Sequence, residues 1–160
     1  MKDLNTYITE KFKIRKSNKP SYKYFPETKK ELQDLLNQLI KERGNEGDFN
    51  DIDTSKITDM SGLFDNIDND NRDKFNGDIS NWDVSNVTDM YSIFYGCKSF
   101  NQPLNNWDVS NVKSMVYMFY KCKSFNQDIS NWDVSNVRVG ADAEMFDGCP
   151  IKEKYKPKFK

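Results

Sequence analysis

Over the last two thirds of the chain, apolar residues return to the same places every 25 residues. Phe75 to Val87 reads FNGDISNWDVSNV, Phe100 to Val112 reads FNQPLNNWDVSNV and Phe125 to Val137 reads FNQDISNWDVSNV. Inside each unit the spacing changes. In Asn81-Trp82-Asp83-Val84 apolar and polar residues alternate, the mark of a half-buried strand. From Val87 onward, Met90, Ile93, Phe94 and Cys97 recur at steps of three and four, as on one face of a short helix. Ser85 lies between the two patterns, placed to cap that helix with its hydroxyl, and Ser55, Ser110 and Ser135 hold the same place in other units. Each unit therefore predicts strand, turn, helix and a loop back, with successive strands parallel. Trp82, Trp107 and Trp132 share parity with Val84, Val109 and Val134 and so point to the core.

The third unit ends in RVGADAEMFDGCP, two residues longer than its fellows, so Met145, Phe146 and Cys149 stand where Ile93, Phe94 and Cys97 stand in the first. A degenerate copy precedes them, with Glu46 to Phe64 aligning on Asn76 to Phe94 and Ile52 in place of Trp82. About four rungs result, over 46–74, 75–99, 100–124 and 125–149. A period of this size marks stacked supersecondary units that bury their apolar faces on one another and need caps.

One cap is legible over 21–45. Thr28-Lys29-Lys30-Glu31 forms a capping box, Leu32, Leu35, Leu36, Leu39 and Ile40 form an apolar stripe and Gly44 is a stop, which predicts a helix over 29–43. Tyr22 and Tyr24 alternate with polar residues ahead of it, as in a short strand. Residues 1–20 read as an amphipathic helix (Leu4, Tyr7, Ile8, Phe12) and a basic linker. In the tail, 150–160, Tyr155, Pro157 and Phe159 alternate with lysines, an extended segment expected to lie along the last rung.

Composition narrows the functional classes. With 160 residues, 36 % hydrophobic content and a mean hydropathy of -0.88, the chain fits one polar domain. No apolar run approaches the ~20 residues of a membrane span. The N-terminus lacks the apolar core of a secretory signal, and no lipobox-like cysteine stands near the start, so the expected setting is cytoplasmic or virion-associated in place of secreted. The net charge of -1 conceals segregation: residues 1–43 hold 11 Lys and Arg against 6 Asp and Glu, residues 44–149 hold 8 against 18, and residues 150–160 hold 5 against 1. An acidic body repels phosphate, so nucleic acid is not an expected partner. There is no His, which removes Ser-His and Cys-His pairs and most transition-metal sites, and no Gly-rich phosphate loop is present. No catalytic residue, metal or cofactor is expected.

The candidate contacts lie in columns. Asp83, Asp108 and Asp133, preceded by Asp53, repeat one rung apart, where like charges at ~4.8 Å need compensation. Hydrogen bonds to the following Ser-Asn turn, a cation or a basic protein partner would each supply it. Asn81, Asn106 and Asn131 accompany them; these, with Asn76, Asn101 and Asn126, are expected to close turns and bridge rungs. Tyr91, Tyr95, Tyr117 and Tyr120 fall off the inward stripe, and exposed tyrosines suit protein recognition. Cys97, Cys122 and Cys149 read as stacked core thiols.

The units FNQPLNNWDVSNVKSMVYMFYKCKS and FNQDISNWDVSNV, with KITDMSGLF before them and the leader KYFPETKKELQDLLNQLIKERG, resemble the BspA-like leucine-rich-repeat surface proteins, also met as lipoprotein repeats of unknown function and PARCEL repeats. The resemblance covers roughly residues 22–149. It implies an α/β fold, a short right-handed leucine-rich-repeat-like solenoid with an N-terminal helical cap. It also implies cell-surface recognition of other proteins, with no catalytic residues. The opening LNTYITEKFKI is similar to leaders of proteins from phages of gut bacteria, which implies a phage-encoded structural or host-interacting protein. The expected function is a non-enzymatic interaction module that meets a protein partner through its strand face; the oligomeric state is left open.

Overall fold

The computed structural model describes residues 22–138 and 140–159. The helix and basic linker expected over 1–20 lie outside the described residues.

The capping box and apolar stripe produce helix α1, Lys29–Arg43. The Thr28 hydroxyl accepts the Glu31 N–H, the Glu31 carboxylate reaches back to the Glu27 N–H at 2.8 Å, and Gly44 closes the helix with its N–H on the Ile40 carbonyl at a φ of 79°. Such a conformation favours glycine. Leu32, Leu35, Leu36, Leu39 and Ile40 are buried, and polar side chains tie α1 to the first repeat. Gln33 donates to the Gly62 carbonyl (3.1 Å), Asn37 to the Asn66 carbonyl (3.2 Å) and Lys29 to Asp59 (2.7 Å).

The strand-helix rungs do not form. Among the described residues the helices are α1, a six-residue α2 (Asn69–Lys74) and a 3-10 turn at Glu153–Tyr155. The described residues form no sheet; isolated parallel bridges join Tyr24 to Ile52, Asp48 to Asp78, Asp59 to Asp89 and Asp89 to Ser114. The chain is therefore not a leucine-rich-repeat-like solenoid of four strand-helix rungs. It stacks repeats made of successive turns.

The backbone shows why a helical spacing did not give a helix. Between Met90 and Cys97 the N–H groups of Ile93, Tyr95 and Cys97 donate three residues back, to Met90, Ser92 and Phe94. The intervening ones, Met90, Ser92, Phe94 and Gly96, donate across to Ser114, Val116, Met118 and Tyr120 of the next repeat. That repeat does the same, with Met118, Tyr120 and Cys122 bonding inward and Met115, Tyr117, Phe119 and Lys121 reaching Ala141, Ala143, Met145 and Asp147. Positive φ recurs at the third position of these turns, at Ser92 (54°), Gly96 (71°), Tyr117 (57°), Lys121 (58°), Glu144 (51°) and Gly148 (72°). A residue there cannot continue a right-handed helix, and positive φ at the third position is what a type II turn requires. The step of three from Met90 to Ile93 and from Phe94 to Cys97 is thus the span of a turn.

The expected strand at Asn81–Val84 also resolves into turns, closed by Trp82 N–H on the Ile79 carbonyl (3.1 Å) and Val87 N–H on the Val84 carbonyl (2.9 Å). Ser85 caps no helix. Side-chain amides bridge the repeats where a ladder would have done so: Asn86, Asn111 and Asn136 donate to the carbonyls of Ser55, Ser85 and Ser110 at 2.8, 2.8 and 2.7 Å. Asn76 and Asn101 each accept the N–H of the residue 25 further on, at 2.9 Å.

Aromatic rings fill the centre. Phe75, Phe100 and Phe125 stack at 6.0 Å and 6° between neighbours, beside a second column of Phe94, Phe119 and Phe146. The three tryptophans each donate an indole N–H to a carbonyl of the preceding repeat, at Phe49, Ile79 and Leu104. At the far end Ile129 N–H donates to the Tyr155 carbonyl (3.0 Å), Ile151 and Pro157 are buried, and Tyr155 and Phe159 pack on the core. The tail is bent by its 3-10 turn and so is not extended throughout.

Candidate functional site

Each repeat turns its corners with an Asp that bonds the N–H two residues on. Asp83, Asp108 and Asp133 accept from Ser85, Ser110 and Ser135 at 3.0, 3.1 and 3.0 Å, and Asp53 accepts from Ser55 at 3.1 Å. The hydroxyls of Ser85 and Ser110 add a second bond to the same oxygen, each at 2.6 Å. Local turn bonding thus supplies compensation to the column. At Asp108 these bonds, the Ser110 hydroxyl first and its N–H second, hold the carboxyl below the ordinary carboxylate range, while Asp133 one repeat away pushes weakly the other way.

Two further Asp columns escaped the sequence reading. Asp48, Asp78 and Asp128 bond the N–H groups of Asn50, Ser80 and Ser130 at 2.8, 3.0 and 3.0 Å. Asp59 and Asp89 do so for Ser61 and Tyr91 at 2.7 and 2.8 Å. Asp-x-Ser recurs at two places in the 25-residue period, as at Asp78 and Asp83 in one unit, so the sequence carries the mark of both columns.

The asparagines beside the Asp column diverge. Asn81 is exposed, and its N–H donates to the Asn50 side chain at 2.8 Å. Asn131 donates to the Asn105 carbonyl at 2.8 Å and lines a shallow polar pocket with Asn105, Gln127, Asp128 and Ser130. Asn106 is exposed. Bridging falls to Asn76, Asn86, Asn101 and Asn111 more than to these three.

The tyrosines come together. Tyr91, Tyr95 and Tyr120 hold the second position of their turns and Tyr117 the third, away from the buried turn ends, and the four emerge on one side. Tyr95 and Tyr120 occupy the same place in successive repeats and stack at 5.1 Å and 13°. Tyr91 and Tyr117 occupy different places and meet edge to face at 5.9 Å and 83°, as do Tyr117 and Tyr120 at 5.5 Å and 83°. Tyr91 is 44 % exposed, and the Lys121 ammonium stands 4.9 Å from the Tyr120 ring. The nearby Glu144 carboxylate is the main reason that the Tyr117 hydroxyl holds its proton more tightly than usual.

The cysteines are structural in position. Cys97 and Cys122 are buried, Cys149 partly so, and none forms a disulfide. Burial pushes the thiols of all three up, away from the thiolate that reactivity needs. Among the described residues no group of three or more His, Cys, Asp or Glu could hold a metal ion. No helix among them is long and apolar enough to cross a membrane.

The family model described as Mycoplasma protein of unknown function, DUF285, matches residues 31–157. No curated protein matches the chain, and neither does any solved structure.

Proposed function

We propose, for a chain that belongs to the DUF285 family, a non-enzymatic role in recognising a protein partner. The expected strand face is absent, so the role attaches to the tyrosine cluster and to the corner column of Asn81, Asp83, Asn106, Asp108, Asn131 and Asp133. The observation that carries it is the four-tyrosine cluster. These rings pack on one another outside the core columns, and the fold has no evident need of them. Tyrosine offers a partner large contact area and a hydroxyl at the cost of two torsions. The acidic corners favour a partner with basic character, which they would steer toward the face before contact. The finer resemblance to BspA-like surface proteins supports the same reading and adds the recognition of another cell's proteins.

Affinity capture from the native cell tests this, comparing the intact protein with a Tyr91→Ser, Tyr117→Ser variant whose melting temperature and light scattering are followed in parallel. The expected outcome is a partner retained by the first and lost by the second, both folded and of equal mass. Equal capture by the two would refute a role for the cluster.

A further inference from the structure

The turn ribbons are polar along the stack. Between Met90 and Gly96, and again between Met115 and Lys121, N–H groups at alternate residues point forward to carbonyls of the next repeat, so the forward side of this ribbon offers donors. Met90, Ser92, Phe94 and Gly96 find acceptors, as do Met115, Tyr117, Phe119 and Lys121. The next four in the series, the N–H groups of Asp142, Glu144, Phe146 and Gly148, meet no acceptor among the described residues. All four residues are exposed or half-buried. Backbone donors left in this way form a template for another chain.

The adjoining half of the same repeat shows what suits it. There the tail, in which lysines alternate with Tyr155, Pro157 and Phe159, gives the Tyr155 carbonyl to the Ile129 N–H at 3.0 Å, and the Lys156 ammonium lies 5.4 Å from the Phe146 ring. Around the open half stand Asp142, Glu144 and Asp147, which form no ion pair among the described residues. Their charge is unfavourable to the phosphate or carboxylate that a row of N–H groups would otherwise attract. A second copy in the same register is blocked, since α1 lies over the first repeat through Gln33 and Asn37.

We propose that this edge docks an extended lysine- or arginine-bearing segment of a partner protein, whose main-chain carbonyls accept from Asp142, Glu144, Phe146 and Gly148 while its cations lie against Asp142, Glu144 and Asp147. Strand addition of this kind takes affinity from the main chain and selectivity from alternate side chains. The edge adjoins the tyrosine cluster, with Glu144 near Tyr117, but its backbone donors and carboxylates do not rest on that reading.

The probe is a labelled synthetic peptide alternating Lys with Phe and Tyr, titrated into the full chain by fluorescence anisotropy, with amide exchange followed by NMR. Saturable, salt-sensitive binding is expected, with exchange at Asp142, Glu144, Phe146 and Gly148 slowed on addition. An Asp142→Lys, Asp147→Lys variant should bind roughly tenfold more weakly, the scale of a few lost charge contacts, while Glu46→Lys, at an exposed position of the first repeat, binds as before. Absence of binding, protection confined to other amides, or equal binding by a peptide with Glu for Lys would overturn the proposal. So would slow exchange at the four amides before peptide is added, since the edge would then already be occupied by the chain itself or a second copy.

Discussion

The indole N–H of Trp107 donates to the main-chain carbonyl of Ile79, 28 residues earlier, at 3.2 Å in the buried centre of the stack. Trp82 and Trp132 make the same bond one repeat to either side. Each tryptophan thus satisfies a carbonyl that a β-ladder would otherwise serve, and it holds neighbouring repeats in register. Trp107→Phe keeps an aromatic ring but removes one of the two donors to the Ile79 carbonyl, which retains the Trp82 N–H at 3.1 Å. One net hydrogen bond is worth about 0.5–1.5 kcal/mol, so the melting temperature should fall by roughly 1–6 °C on the scaling for a domain of this size. Thermal unfolding followed by circular dichroism checks it; an unchanged midpoint would show that the indole bond adds nothing to the stability of the stack.

Lys121 holds a place that glycine takes in the repeats on either side, Gly96 and Gly148, and all three have positive φ, at 58°, 71° and 72°. A side chain in that region costs about 1 kcal/mol, and glycine avoids the cost while gaining freedom in the unfolded chain. Lys121→Gly should therefore be neutral or stabilising by up to about 1 kcal/mol. Gly96→Ala should lose about that amount by conformation alone, because its added Cβ would meet Arg72 only at the ordinary contact distance of 3.6 Å. Urea unfolding of the two variants beside the parent gives both signs.

These turns also explain how much of the fold could be read in advance. The repeat boundaries, the buried Phe, Trp, Met and Cys positions and α1 follow from spacing and caps. The rung's own structure does not, because Met90, Ile93, Phe94 and Cys97 are spaced alike for a helix face and for two turns joined end to end. What separates them is a residue in left-handed conformation, which the glycines Gly62, Gly96 and Gly148 announce; Ser92, Tyr117 and Lys121 adopt it without a sequence mark. Similarly, Asp68 capping Asn71 signalled α2, but a six-residue helix leaves no periodicity. The Asp columns were visible as repetition, and the serine two residues on named their role. The meeting of Tyr91 with Tyr117 was not visible, since the two sit at different places in the repeat.

Arg43 at the end of α1 forks onto Asp51 at 2.7 and 3.0 Å, donates to the Asp48 carbonyl at 2.6 Å and lies over the Tyr24 ring at 5.5 Å. Both side chains of the pair are mostly covered, at 20 % and 16 % exposure. Lysine keeps the charge but not the fork or the planar contact. Arg43→Lys should cost about 1–2 kcal/mol, below the figure for a fully buried pair because water still reaches the site. Because the contact fastens the cap, native-state amide exchange in α1 should quicken more than exchange in the later repeats.

The corner aspartates give stability a defined acid dependence. The Ser110 and Ser130 hydroxyls and N–H groups depress the carboxyls of Asp108 and Asp128; at Asp78 burial pushes the other way, but the bonds from Ser80 outweigh it. A carboxyl lowered in the folded state is protonated first in the unfolded one, so its contribution is complete above the unfolded value of about 3.9 and is lost as pH falls from there through the folded value. The urea midpoint should accordingly stay level down to about pH 5 and drop below about pH 4. Asparagine still closes such a turn but cannot titrate. The Asp78→Asn, Asp108→Asn, Asp128→Asn variant should lose part of that drop while keeping most of its stability near neutrality, and an acid profile as steep as the parent's would place the responsible groups elsewhere.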